Sequence, residues 1–153
     1  MDDSKETRRD KFYPGTNQHK TFEKIDFDAS LFKMRIMRED IEHLSNDDLD
    51  EISNSKIFYI EGYMVASEEN YKVTLMALDH LQNFPDVKIA LSLSDPGIVM
   101  GFKDKFYEIE SFGLDYIFGN DDEAMAFVDA KNIEEAFSKL REKSYTSIIT
   151  MGE

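Results

Sequence analysis

Asn120 and Glu123 stand three residues apart, directly after the apolar run Leu114–Phe118, and are the pair in this chain best placed to do chemistry. An Asn amide can donate to a phosphate oxygen, and a carboxylate can order metal-bound water. The same spacing is also a helix capping box, in which each side chain bonds the other residue's backbone N–H. Taken alone, the residues leave both readings open. Asn132 and Glu135 repeat the spacing between two helical stretches, and capping suffices there. Ser94-Asp95-Pro96 follows the run ending at Leu93, with Asp95 as a helix N-cap and Pro96 at the first helical position. Thr150-Met151-Gly152-Glu153 follows Ile148-Ile149, and a glycine there lets backbone approach a ligand closely. Glu61-Gly62-Tyr63 ends another apolar run, where Gly62 allows close packing.

Strands and helices must hold these ends in place. Ile57–Ile60, Val87–Leu93, Leu114–Phe118 and Thr146–Thr150 read as strands, apolar on both faces. A helix is predicted from Ser67 to Asn83, with Tyr71, Leu75, Leu78 and Leu81 on one side. Another begins at Pro96 and carries Ile98, Phe102, Phe106 and Ile109 along one side. Two more follow over Asp121–Val128 and Ile133–Lys143. Strands alternating with helices predict an α/β fold, a parallel sheet with right-handed crossovers. Ligands bind such sheets at the C-terminal strand ends, which is where the polar segments fall.

The part before Ser55 is less regular. Residues 1–20 are polar, with Tyr13-Pro14-Gly15 as a turn signal, and are expected to lack fixed structure. From Thr21 to Met37, Phe22, Ile25, Phe27, Leu31, Phe32, Met34 and Ile36 alternate with charges, in a pattern that fits edge strands or a short helix. Ser45–Ile52 reads as a short acidic helix, with Ser45 as N-cap and Asp47 and Asp48 in its first turn.

At 153 residues the chain has room for one domain with a real core. Its 41% hydrophobic and 33% charged content is that of a charge-rich soluble protein. A net charge of -14 argues against nucleic acid and against an anionic membrane surface as partners. A nucleotide phosphate can still bind through backbone N–H groups and magnesium. With no cysteine, disulfides, thiolate catalysis and cysteine-bound metal are excluded, in keeping with a reducing cytoplasm. No apolar run approaches the roughly 20 residues that span a bilayer, and no apolar core follows the charged start to make a signal peptide. His19, His43 and His80 share no ligand spacing and read as surface or packing residues. There is no Ser-His-Asp set, Walker loop or dinucleotide glycine fingerprint.

The order and spacing of Glu61-Gly62, Ser94-Asp95-Pro96, Asn120-x-x-Glu123 and Thr150-x-Gly152 resemble the ribokinase-like (PfkB) carbohydrate and nucleoside kinases, nearest their adenosine-kinase-like branch. The resemblance covers about Asp47 to Glu153, the middle third of a complete member. It implies a partial ribokinase-like fold over residues 21–153, a mainly parallel sheet with flanking helices. It further implies that Asn120, Thr150 and Gly152 lie towards the nucleotide and Glu123 towards magnesium, with ATP and Mg2+ as cofactors and a sugar or nucleoside as substrate. The family's Gly-Ala-x-Gly-Asp, which supplies a base and an anion hole, does not occur here, nor do its N-terminal paired glycines and lid. No catalytic residue is therefore assigned.

Two expectations from different classes follow. One is a truncated or split ATP-dependent kinase, cytoplasmic and inactive alone, binding ATP–magnesium weakly and associating with the remainder of the kinase or with itself. The other is a non-catalytic acidic α/β binding or regulatory module derived from the same fold.

Overall fold

A computed structural model describes residues 44–152; the expectations for residues 1–43, including His19 and His43, lie outside them. Helix α1 (Asn46–Ser53) opens on Ser45, whose Oγ accepts from the Asp48 N–H while the Asp48 carboxylate accepts from the Ser45 N–H. Strand β1 (Ile57–Glu61) passes into a short 3-10 turn, Gly62–Ala66, which the sequence did not signal. There follow α2 (Glu68–Leu81), β2 (Lys88–Ser92), α3 (Pro96–Gly101), α4 (Lys103–Ser111), β3 (Leu114–Asn120), α5 (Asp121–Val128), α6 (Ile133–Leu140) and β4 (Ser144–Thr150).

The four strands pair in the order β1-β2-β3-β4, every pair parallel. Because sequence order and sheet order run together, right-handed crossovers lay successive helices on the same face. Core composition agrees. Ile60, Ile89, Leu91 and Ile117 share that face and join Leu78, Leu81, Val99, Phe106, Ile109, Phe127 and Leu140 in one buried cluster. Ile57, Tyr59, Tyr116, Phe118 and Ile148 point to the other face and lie outside that cluster.

Two expectations are corrected. The helix read as continuous from Pro96 is two helices, because Phe102 leaves helical geometry at φ -128°, ψ 31°, just after Gly101. Glycine is the weakest helix former short of proline, so the break costs little there. Phe106 and Ile109 remain fully buried on α4, so the apolar stripe survives the break. Strand β1 is not buried on both faces either. Only Ile60 is fully buried, since β1 sits at the sheet's edge with a single strand neighbour among the described residues.

Apart from His80 Nε2, which has no hydrogen-bond partner, buried side-chain polar groups among the described residues are matched. Asp115, 2% exposed, accepts from the Ile89 N–H at 2.8 Å and pairs with Lys88 at 3.2 Å, which ties β3 to the start of β2. On the helix side, the Tyr71 hydroxyl donates to Glu108, joining α2 to α4. Lys105 lies 4.5 Å from the Tyr71 ring centre and donates to the Val65 carbonyl and to Glu68.

Candidate functional site

The four parallel strands bring their C-terminal ends to one edge, so Glu61, Ser92, Asn120 and Thr150 line up there. Asn120 and Thr150 are direct partners in the β3–β4 ladder, and the Thr150 hydroxyl leans towards the Gly119 carbonyl at 3.4 Å. The fold thus brings together two of the residues expected to face a nucleotide. Gly152 lies two residues past the end of β4 and is exposed. A Cβ there would meet no protein atom within 4 Å, so no packing within the described protein demands a glycine.

Asn120 and Glu123 form a closed capping box. The Asn120 Oδ1 accepts from the Glu123 N–H at 2.8 Å. In return Glu123 Oε2 accepts from the Asn120 N–H at 3.0 Å, and Oε1 from Nδ2 at 2.9 Å. Glu123 is only 8% exposed and both its oxygens are bonded, so the box is rigid. Gly119 makes room for it, since a Cβ there would come within 3.0 Å of Glu123 Oε2 and 3.1 Å of Leu93 Cδ1. Asn132 caps α6 by accepting from the Glu135 N–H, but Glu135 turns to the Lys131 N–H instead, so that cap is not reciprocal.

The β1 and β2 ends are locked to each other. A Cβ on Gly62 would lie 2.6 Å from both the Ser92 and Leu93 carbonyl oxygens, a clash with backbone that cannot move aside. The expected close packing at Gly62 is therefore present. The Gly62 N–H donates to Ser94 Oγ at 2.9 Å, and Ser94 stands in the left-handed region at φ 69°. Such a backbone is uncommon outside Gly, Asn and Asp. Asp95 then caps α3 as expected, Oδ1 accepting from the Gly97 and Ile98 N–H groups, with Pro96 opening the helix. Tyr59 reaches towards this end. Burial pushes its phenol above the ordinary value; a hydrogen bond with Ser92 opposes the rise and Glu61 adds to it.

The lock made by Ser94 and the close approach at Gly119 are what sequence reasoning missed. A glycine inside a strand is a recognised sign of close approach, so Gly119 carried a signal. Ser94 carried none, because a serine does not announce a positive φ.

Electrostatics constrain what this edge can hold. Asp121, Asp122 and Glu123 fill the first turn of α5, so its positive dipole end already faces three carboxylates. An anion arriving alone would be repelled, whereas a phosphate accompanied by a cation would not. Among the described residues, no group of three or more His, Asp or Glu side chains could hold a metal.

No family model matches the sequence, and no curated protein does. Solved structures match it in fold. Adenosine kinase from Sinorhizobium meliloti is 25% identical with a TM-score of 0.64, the match covering 72% of this chain and 34% of that one. A probable sugar kinase from Rhizobium etli is 22% identical at a TM-score of 0.62, over 71% of this chain and 33% of that one. Anopheles gambiae adenosine kinase, in complex with a di(adenosine) tetraphosphate, is 20% identical at 0.59, over 71% and 35%. This chain is thus matched over about a third of the kinases' length. A four-stranded parallel sheet with its helices, matched over that third, makes these residues a partial ribokinase-like fold similar to the adenosine kinases and PfkB sugar kinases.

Proposed function

We propose that these residues are the central part of an ATP-dependent carbohydrate or nucleoside kinase, cytoplasmic and of the adenosine-kinase-like branch, and that the 153-residue polypeptide alone does not transfer phosphate. The observation that carries the reading is the shared edge, where Asn120 and Thr150 are ladder partners beside a rigid Asn120–Glu123 box. In this role Asn120 Nδ2, the Thr150 hydroxyl and the backbone at Gly152 face the nucleotide. Glu123 orders water on a magnesium ion that the phosphates bring with them. Bound magnesium would neutralise phosphate charge, which the three carboxylates at the start of α5 otherwise oppose. Likeness to adenosine and sugar kinases supports a nucleoside or sugar as the acceptor.

Phosphoryl transfer depends on positioning and on electrostatic stabilisation of the transferred group. The sequence holds no Gly-Ala-x-Gly-Asp, the segment to which the resemblance gives the base and anion hole. The pure chain should therefore give no labelled product from γ-labelled ATP with adenosine or ribose, and turnover would refute the proposal. Few contacts remain to offset the several kcal/mol cost of immobilising a ligand, so ATP–magnesium should bind at about millimolar Kd or weaker. Low-micromolar binding that Glu123→Ala abolishes would favour the second reading, a non-catalytic binding module. The completed capping box gives that second reading its footing, since it holds the edge in shape without any catalytic segment.

A further inference from the structure

Helix α5 carries the Asn120–Glu123 box at its N-terminal end, while its C-terminal end is held by side chains of two other helices. The last carbonyls of a helix have no partner within it and ordinarily turn to water. Here the Lys103 ammonium donates to the Ala126 carbonyl at 2.8 Å, and the Tyr107 hydroxyl to the Phe127 carbonyl at 2.9 Å. Lys103 and Tyr107 stand four residues apart on α4, so one face of that helix meets two consecutive carbonyls of α5. Beyond them Asp129 closes α5 in the left-handed region at φ 51°, its N–H donating back to Met125. Lys103 pairs with the Asp129 carboxylate, and Lys139 of α6 donates to the Asp129 carbonyl at 2.9 Å. Two ammonium groups at this end also complement the helix dipole, opposite the three carboxylates of the first turn.

We infer that Lys103, Tyr107 and Lys139 are positioning residues for the strand-end edge, fixing α5 along its axis and so fixing where the Asn120–Glu123 box stands beside Thr150. An eight-residue helix is only about 12 Å long and moves as one piece, so a shift at its last turn is a shift at its first. The Tyr107 ring adds a second hold, lying tilted at 5.6 Å against the fully buried Phe127. That the positioned box serves a nucleotide rests on the kinase reading above; the clamp on α5 does not.

Nuclear magnetic resonance of the full 153-residue chain reads the position of the box directly. Tyr107→Phe keeps the ring and removes one donor, and should already move the Asn120 side-chain amide and Glu123 N–H signals. Adding Lys103→Met and Lys139→Met should move them further, and Lys103→Arg in place of Lys103→Met should bring them part of the way back. Lys143→Met is the control, because Lys143 lies 4.7 Å from the same Tyr107 ring but pairs with Glu110 at 3.4 Å. It should lower the thermal midpoint and leave the box signals in place. Box signals unmoved in every clamp variant, or moved as far by Lys143→Met, would make the three residues ordinary stabilisers and overturn the inference.

Titration with ATP and magnesium separates the clamp from the kinase reading. Shifts at Asn120 and Thr150 should saturate at a several-fold higher concentration in the triple variant than in the wild type. Equal binding by both proteins would overturn the positioning role. No shift in the wild type, with the box still displaced in the variants, would leave the clamp standing and remove the nucleotide.

Discussion

Gly62 and Asn120 hold the two halves of the strand-end edge by different means, and substitution should separate them. Gly62→Ala forces a Cβ to 2.6 Å from two backbone carbonyl oxygens of β2 and the residue after it. The clash should cost about 1–3 kcal/mol, as overpacking does elsewhere, read as a lower denaturation midpoint with an unchanged slope. Asn120→Ala removes a cap and leaves the mostly buried Glu123 without its side-chain partner. A loss of about 1–2 kcal/mol is expected, and Asn132→Ala should cost less because its cap is one-sided and exposed. Equal losses at the two asparagines would contradict the reading of Asn120–Glu123 as a reciprocal box. Sequence patterns exposed the caps at Ser45, Asp95, Asn120 and Asn132, because a cap is a local arrangement of side chain and nearby N–H groups. The lock between Ser94 and Gly62 spans 32 positions and depends on one serine's φ, so no local pattern could reveal it.

At the scale of elements, the contact between α2 and α4 makes a prediction in alkaline solution. Burial raises the Tyr71 phenol well above its ordinary value of 10.0; the hydrogen bond to Glu108 and the nearby carboxylates add to the rise. A group whose folded value is raised gives its full stabilisation below the unfolded value and loses it as pH climbs through the folded one. The contribution of Tyr71 to stability should therefore be constant up to about pH 9 and fall above pH 10. Tyr71→Phe should be less stable at neutral pH, having lost the bond to Glu108, yet show a shallower alkaline decline. A parallel decline in both proteins, followed by denaturant unfolding from pH 8 to 12, would remove Tyr71 as its cause. Strand and helix order was legible here because continuous apolar runs mark the strands of a parallel sheet, while a period of about 3.6 marks the helices between them. The break at Phe102 was not, since Ile98, Phe102, Phe106 and Ile109 keep helical spacing across it. Nor was the edge position of β1, since a short run such as Ile57–Ile60 reads the same whether one face is covered or both.

The molecule as a whole is an acidic α/β unit matched over about a third of the kinases it resembles, and its behaviour in solution should follow from its edges and its charge. Among the described residues β1 and β4 each have one strand neighbour, and an edge strand is a template for further pairing. Opposing this is a net charge of -14, which keeps copies apart only as far as salt allows. Screening shortens that reach from about 30 Å at 0.01 M salt to about 8 Å at 0.15 M. At 0.15 M the field of one acidic body fades before it reaches the next, so only short-range repulsion is left to oppose contact between two edges. Sedimentation of the 153-residue chain should give a mass near 17.8 kDa at low salt and a larger, concentration-dependent mass at 0.15 M and above. Tyr145→Lys, at an exposed position of the edge strand β4, should restore the monomer by setting like charges against each other across any paired edge. A monodisperse monomer with one sharp thermal transition at every salt concentration would show that both edges are already protected, and that these residues fold as a self-sufficient domain rather than as a piece requiring a partner.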